Sequence, residues 1–103
     1  MSLDEFKTLL LAVDPKATKR RGGGTGDRTV WRPTTVSDRL MSDDSEEEVV
    51  WTVYIDRFTK SDTDTIAPAI YTALENAHIP FTYIIDDEPE TGYIHHIFTC
   101  IVG

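Results

Sequence analysis

The chain has 103 residues, 40% of them apolar and 27% charged, with a net charge of −8. That length holds one domain, 1–103, with a single core near the small end of independent stability; the composition excludes a disordered chain. The negative charge argues against whole-surface attraction to nucleic acid or anionic membrane, and no run approaches the roughly 20 apolar residues needed to cross a bilayer.

The first element is a helix. Ser2 and Glu5 have capping-box spacing, Leu3, Phe6, Leu10 and Val13 recur at helical spacing, and Asp14 before Pro15 stops the run. Leu9 and Leu11 widen the apolar arc, which predicts burial on more than one side. Acids at Asp4 and Glu5, with an apolar run that stops at Val13, do not read as a secretory signal. A short basic strand follows from residue 16 and passes into a loop at about 21–28. Four glycines in the five positions 22–26 cost too much backbone entropy for regular structure. Val30, Trp31 and Arg32 predict a strand that ends near Pro33. A second loop, exposed and polar, is expected at about 34–47.

Alternation is firm from Glu48 to Phe58. Val49, Trp51, Val53 and Ile55 share the face predicted to be core, and Val50, Thr52, Tyr54 and Asp56 share the other. That second face is only half polar, which predicts a second layer or a neighbouring subunit against it. Ser61–Asp64 offers caps for a helix starting near 62–65, with Ile66, Ile70, Ala73, Leu74 and Ala77 on one stripe. Pro68 fits only its first turn, and Ala67, Ala69, Ala73 and Ala77 are expected to let it approach the sheet closely. Pro80 ends it. Strands at 81–86 and 92–102 then form a hairpin around an acidic turn at 87–91. The expected fold is α+β, a mainly antiparallel sheet with two helices in the order α-β-β-β-α-β-β.

Charge is unevenly spread. Seven of the ten basic residues fall within 16–39, and 43–48 holds five acids in six positions. The glycine-rich loop lacks the Lys-Ser/Thr pair of a P-loop, and no helix start follows it. His95 and His96 are strand neighbours on opposite faces, and His96 lies ~13 Å from Cys100 at ~3.3 Å per residue, so no metal set is expected. The single cysteine reads as a buried small hydrophobe in a reducing interior. No nucleophile elbow occurs, and no catalytic residue or cofactor is expected. The basic stretch reads as a charge-complementary contact with the acidic segment of a neighbouring copy, or as one of two solvated loops of opposite sign.

In its order of elements the chain resembles the small tail-terminator, or tail-completion, proteins of long-tailed bacteriophages and prophages. The likeness rests on the helix ending at Leu10–Pro15, the strand Val50–Phe58, the Asp-capped helix after it and the hairpin containing Thr91–Phe98. It implies a homo-oligomeric ring, usually sixfold, at the head-proximal end of the tail tube. Such a ring stops tube polymerisation and presents a surface to the head connector. The implied partners are further copies, the tail tube protein and a head-completion or connector protein, with DNA only passing through the channel. The implied location is the host cytoplasm during assembly and then the virion tail. No family residue matches the acidic segment or the glycine loop.

Within that reading the subunit contact is expected at Arg20, Arg21, Arg28, Trp31, Asp43, Asp44, Glu46, Val50 and Tyr54. A head-closure role at the head–tail joint fits the same pattern. A reading of another class is a small anion-binding or catalytic module centred on Arg20, Arg21, Arg28 and His95. A nucleic-acid-binding accessory protein, using the basic stretch around Trp31, is the third.

Overall fold

A computed structural model describes residues 1–19, 26–35 and 50–103. Helix α1 spans Leu3–Val13 and opens on the predicted capping box. Ser2 accepts from the Glu5 N–H at 3.1 Å, and the Glu5 carboxylate accepts from the Ser2 N–H at 2.7 Å. It ends at Asp14, whose extended backbone (φ −137, ψ 95) is what the following proline demands. Strand β1 is Thr18–Lys19, β2 is Arg28–Thr35 and β3 is Trp51–Thr59. Helix α2, Ile66–Asn76, is followed by β4, Phe81–Glu88, and β5, Tyr93–Val102.

Asp64 starts α2 by accepting from the Ala67 N–H at 2.9 Å. Pro68 sits in the first turn, where its missing donor costs nothing. His78, at φ +58, takes the left-handed position after the helix, and Ile79 donates back to the Leu74 carbonyl at 3.0 Å. Pro89–Gly92 is the hairpin turn, so β4 runs two residues further than the acidic run suggested. Gly92, at φ +78, closes it by donating to the Glu88 carbonyl at 2.8 Å.

The five strands form one mixed sheet in the order β1-β2-β3-β5-β4. β1 pairs parallel to β2, and every other pair is antiparallel. The fold is α+β. Strand β2 does not stop at Pro33: the register continues through Pro33↔Val53 to Thr35↔Trp51. The reason is positional, because β1 pairs β2 only as far as Trp31, and past that point a proline's missing N–H breaks no described ladder. Thr34 and Thr35 therefore belong to β2 rather than to the expected second loop. Residues 20–25 and 36–49, including the acidic segment and most of the glycine loop, lie outside the described residues.

Both helices lie on one face of the sheet. Phe6 and Leu10 from α1 and Ile70 and Leu74 from α2 pack with Trp31, Val53, Ile55, Phe98, Cys100 and Val102 in a single core. Strand alternation makes this possible, since the register aligns Trp31, Ile55 and Phe98 in one row on that face. Ala67 is buried in the core, whereas Ala69 is exposed. Ala73 and Ala77 line an apolar groove with Leu9 and Val13 of α1, so small residues bring the helices together as well as α2 onto the sheet.

Arg57 holds this layer in place. It points from β3 into the helix side, 7% exposed, and bonds Asp64 at 2.8 Å and 3.3 Å through two nitrogens. Asp14 approaches it at 3.8 Å, Asp27 at 3.9 Å and Thr29 Oγ1 at 3.3 Å. One guanidinium thus joins the end of α1, the start of α2 and the entry to β2 to the sheet. Burial alone would raise Asp64, but hydrogen bonds from Arg57 and the Ala67 N–H, with the Arg57 charge, bring it below its ordinary 3.8. Its stabilising contribution is present above that value and is lost as pH falls through the lower folded one.

Two outcomes follow from this packing. Arg57→Met leaves buried carboxylates without their cation and should lower unfolding stability by about 3–5 kcal/mol, read from urea denaturation; a loss below about 1 kcal/mol, the value of a surface pair, contradicts the arrangement. Burial pushes the Cys100 thiol up to about 12. Native protein should therefore resist thiol reagents at neutral pH and react only on unfolding; rapid labelling of the folded chain contradicts this.

Candidate assembly face

Among the described residues no helix or strand covers the other face of the sheet. The register defines its rows. Arg32, Tyr54, Thr99 and Thr82 lie across one, Val30, Asp56, Ile97 and Ile84 across the next, and Arg28, Phe58, His95 and Asp86 across a third. Thr34, Thr52 and Ile101 form a further row. Ile84 is 59% exposed and Ile101 43%, while Tyr54, Phe58 and Ile97 are half-buried by their neighbours alone. Strand β5 adds to this face because it is apolar at both parities: Phe98, Cys100 and Val102 face the core, and Ile97 and Ile101 face outward.

Cations and aromatic rings are interleaved here. The Arg32 guanidinium lies 4.8 Å from the Tyr54 ring centre. Arg28 lies 4.3 Å from Phe58 and 5.4 Å from Tyr93, and the Lys60 ammonium is 4.9 Å from Tyr93. His95 stacks on Phe58 with centroids 4.2 Å apart. Each such cation–π contact contributes about 0.5–1 kcal/mol when exposed and about 2 when desolvated, so covering the face strengthens it. Tyr, Phe and Arg are also the residue types enriched at protein interfaces.

Nitrogens and carboxylates are matched at one end of the face. His95 Nε2 is 2.9 Å from Asp56 Oδ1, and Nδ1 is 3.6 Å from Glu88. Arg28 donates to the Gly26 carbonyl at 3.1 Å, and the Gly26 N–H donates to the Tyr93 hydroxyl at 2.7 Å. The structure thus brings Arg28 and His95 together around Phe58, but a carboxylate stands at each ring nitrogen of the imidazole. An incoming anion meets Asp56 and Glu88 as well as Arg28. Arg20 and Arg21, the other members of the suggested anion site, lie outside the described residues.

The nine residues expected at a subunit contact fare differently. Tyr54 lies on the open face beneath Arg32, Arg28 lies at its end, and Val50 is half-buried just before β3. Trp31 is corrected: it is 2% exposed and packs 6.0 Å from Phe6 in the protomer's own core, so its area is already spent on folding. Its parity matches Ile55 rather than Tyr54. Arg20, Arg21, Asp43, Asp44 and Glu46 lie outside the described residues. Sequence reasoning missed Arg32, Phe58, Ile84, Ile97 and Ile101 on this face, although their parity carried the signal.

On the helix side, Tyr83 stacks between Phe98 at 4.7 Å and His96 at 5.9 Å, with Tyr71 edge-on at 5.5 Å. The Tyr83 hydroxyl and His96 Nδ1 lie 2.7 Å apart and share a hydrogen bond. His95 and His96 therefore serve opposite faces, and among the described residues no three potential ligands gather as a metal set. No described helix is long and apolar enough to cross a membrane. No protein-family model matches the chain, and no curated protein does.

Burial pushes His96 below its ordinary 6.5, and the Asp64 carboxylate only partly opposes this. The unfolded chain therefore takes up this proton first as pH drops below about 6.5, and the folded state loses stability down to the lowered value. The melting temperature should fall between about pH 7.5 and pH 5.5, and fall less in His96→Gln. An equal fall in both proteins contradicts the assignment.

Proposed function

We propose that this protein is a structural assembly subunit rather than an enzyme: a ring-forming tail terminator, or tail-completion protein, of a long-tailed phage or prophage. The observation that carries the assembly reading is the open sheet face, with Tyr54, Phe58, Ile84, Ile97 and Ile101 exposed or half-buried beside Arg28 and Arg32. The ring, its sixfold order and its place between tail tube and head connector rest on the likeness in element order. A polyanion suits the face poorly, because Asp56, Asp86 and Glu88 stand among its cations. Two groups available to an enzyme are otherwise engaged. Cys100 is buried, and His95 is held between two carboxylates.

Sedimentation velocity at micromolar concentration, alone and with the tail tube protein, tests this. A species several times the protomer mass is expected, with six copies on the tail-terminator reading. A strict monomer under both conditions overturns it. Tyr54→Asp should weaken association at least tenfold, about 1.4 kcal/mol, while leaving the urea midpoint of the protomer unchanged. Undiminished association removes Tyr54 from the interface.

A further inference from the structure

The open face supplies area for contact but no direction from one copy to the next, and the two edges of the sheet supply that direction. We propose that copies join head-to-tail by main-chain pairing, the outer edge of β4 in one copy adding to the outer edge of β1 in the next. This rests on the assembly reading and deepens it.

Strand β4 is an open edge. Among the described residues nothing pairs with its outer side. The Ile101 N–H donates to the Pro80 carbonyl at 2.9 Å, and antiparallel alternation then directs the main-chain groups of Thr82, Ile84 and Asp86 toward β5. Those of Phe81, Tyr83, Ile85 and Asp87 point outward. Natural edges are blunted by charged side chains, proline or bulges. The half of β4 at 81–85 has neither charge nor proline, and Ile84 and Ile85 are 59% and 54% exposed.

Charge selects the occupant. The lower half of β4 carries Asp86, Asp87 and Glu88, all acidic. The opposite edge of the same sheet carries Lys19 in β1, with Lys16 in the turn just before it, both exposed, and Arg20 and Arg21 follow in the sequence. A twofold β4–β4 pairing concentrates acid at one seam, whereas β4 against β1 joins opposite signs.

Strand direction agrees. β4 runs opposite to β5, β5 opposite to β3, β3 opposite to β2, and β1 runs with β2. A second copy added in the same orientation therefore sets β1 antiparallel to β4. The levels agree as well. Thr18, Val30, Asp56, Ile97 and Ile84 share one row across the sheet. Without a register shift, the next copy's Thr18 meets Ile84 and its Lys19 comes level with Tyr83, while Lys16, in the turn before β1, lies toward the acidic end of β4. Lys19 shares the helix-side face of Trp31, with its ammonium 5.5 Å from that ring, and on the same face the neighbouring copy's β4 borders an open hollow of about 490 Å³ lined by Tyr71, Glu75 and Tyr83. An aromatic pair and a carboxylate there suit an ammonium group. Such an interface is heterologous, and it closes into a ring when the rotation per copy permits.

Reciprocal charge reversal tests the pairing. Asp86→Lys with Asp87→Lys makes one variant, and Lys16→Glu with Lys19→Glu makes the other. All four side chains are exposed, so far-UV circular dichroism should match the wild type. Each variant alone should associate at least tenfold more weakly by sedimentation velocity. An equimolar mixture should recover association, because both seams of an alternating head-to-tail assembly are then complementary. Ile85→Pro removes an outward N–H without breaking the β5 ladder and should likewise give a folded, weakly associating chain. Wild-type association in either variant alone, or no recovery in the mixture, overturns the edge pairing while the assembly reading stands. A wild-type chain that never associates overturns both.

Discussion

Everything in this fold depends on how Arg57 is buried. A guanidinium taken out of water must find its charge and hydrogen bonds inside, and here they come from three segments distant in sequence. Asp14 follows α1, Asp64 precedes α2, and Asp27 enters β2. Satisfying one cation therefore fixes both helix termini over the same face. The apolar stripes of the two helices then complete a core around Trp31, Val53, Ile55 and Phe98. The consequence is asymmetric. Both helices are committed to one side, and the rows of Tyr54, Ile97 and Phe58 on the other receive no described helix.

That asymmetry gives the open face its character. A face left to water alone is usually polar at every outward position. Here β5 keeps Ile97 and Ile101 outward, β4 keeps Ile84, and Arg28 and Arg32 lie over aromatic rings. Such cation–π pairs tolerate water and strengthen when it leaves, which is the property a surface needs if it is exposed before assembly and covered after it. The edges carry a different property. One is acidic and the other basic, so they supply direction where the face supplies area.

Much of this was legible in the chain. The capping box at Ser2 and Glu5, the stop at Pro15, the alternation from Trp51 to Phe58 and the Asp-started second helix all follow from local chemistry, and all are present. The α+β class follows from them. What escaped was set by register and by distant contacts. Trp31 looked like an interface anchor because its face depends on pairing with Ile55, which no local pattern reveals. Pro33 looked like a strand end because the sequence does not show that β1 stops short of it. Arg57 was unremarkable in sequence, since its partners stand at positions 14, 27 and 64. Within the candidate face, Tyr54 was found by parity, whereas Ile97 and Ile101 were hidden in a strand apolar on both sides.

The central claim is that a second layer of protein comes to cover the outward rows of the sheet. Hydroxyl-radical footprinting, performed below and above the concentration at which the chain associates, measures that directly. The account predicts that Tyr54, Ile97 and Ile101 lose reactivity on association while Leu11 on the first helix keeps its own. Equal labelling of those three positions in dilute and associated protein contradicts it.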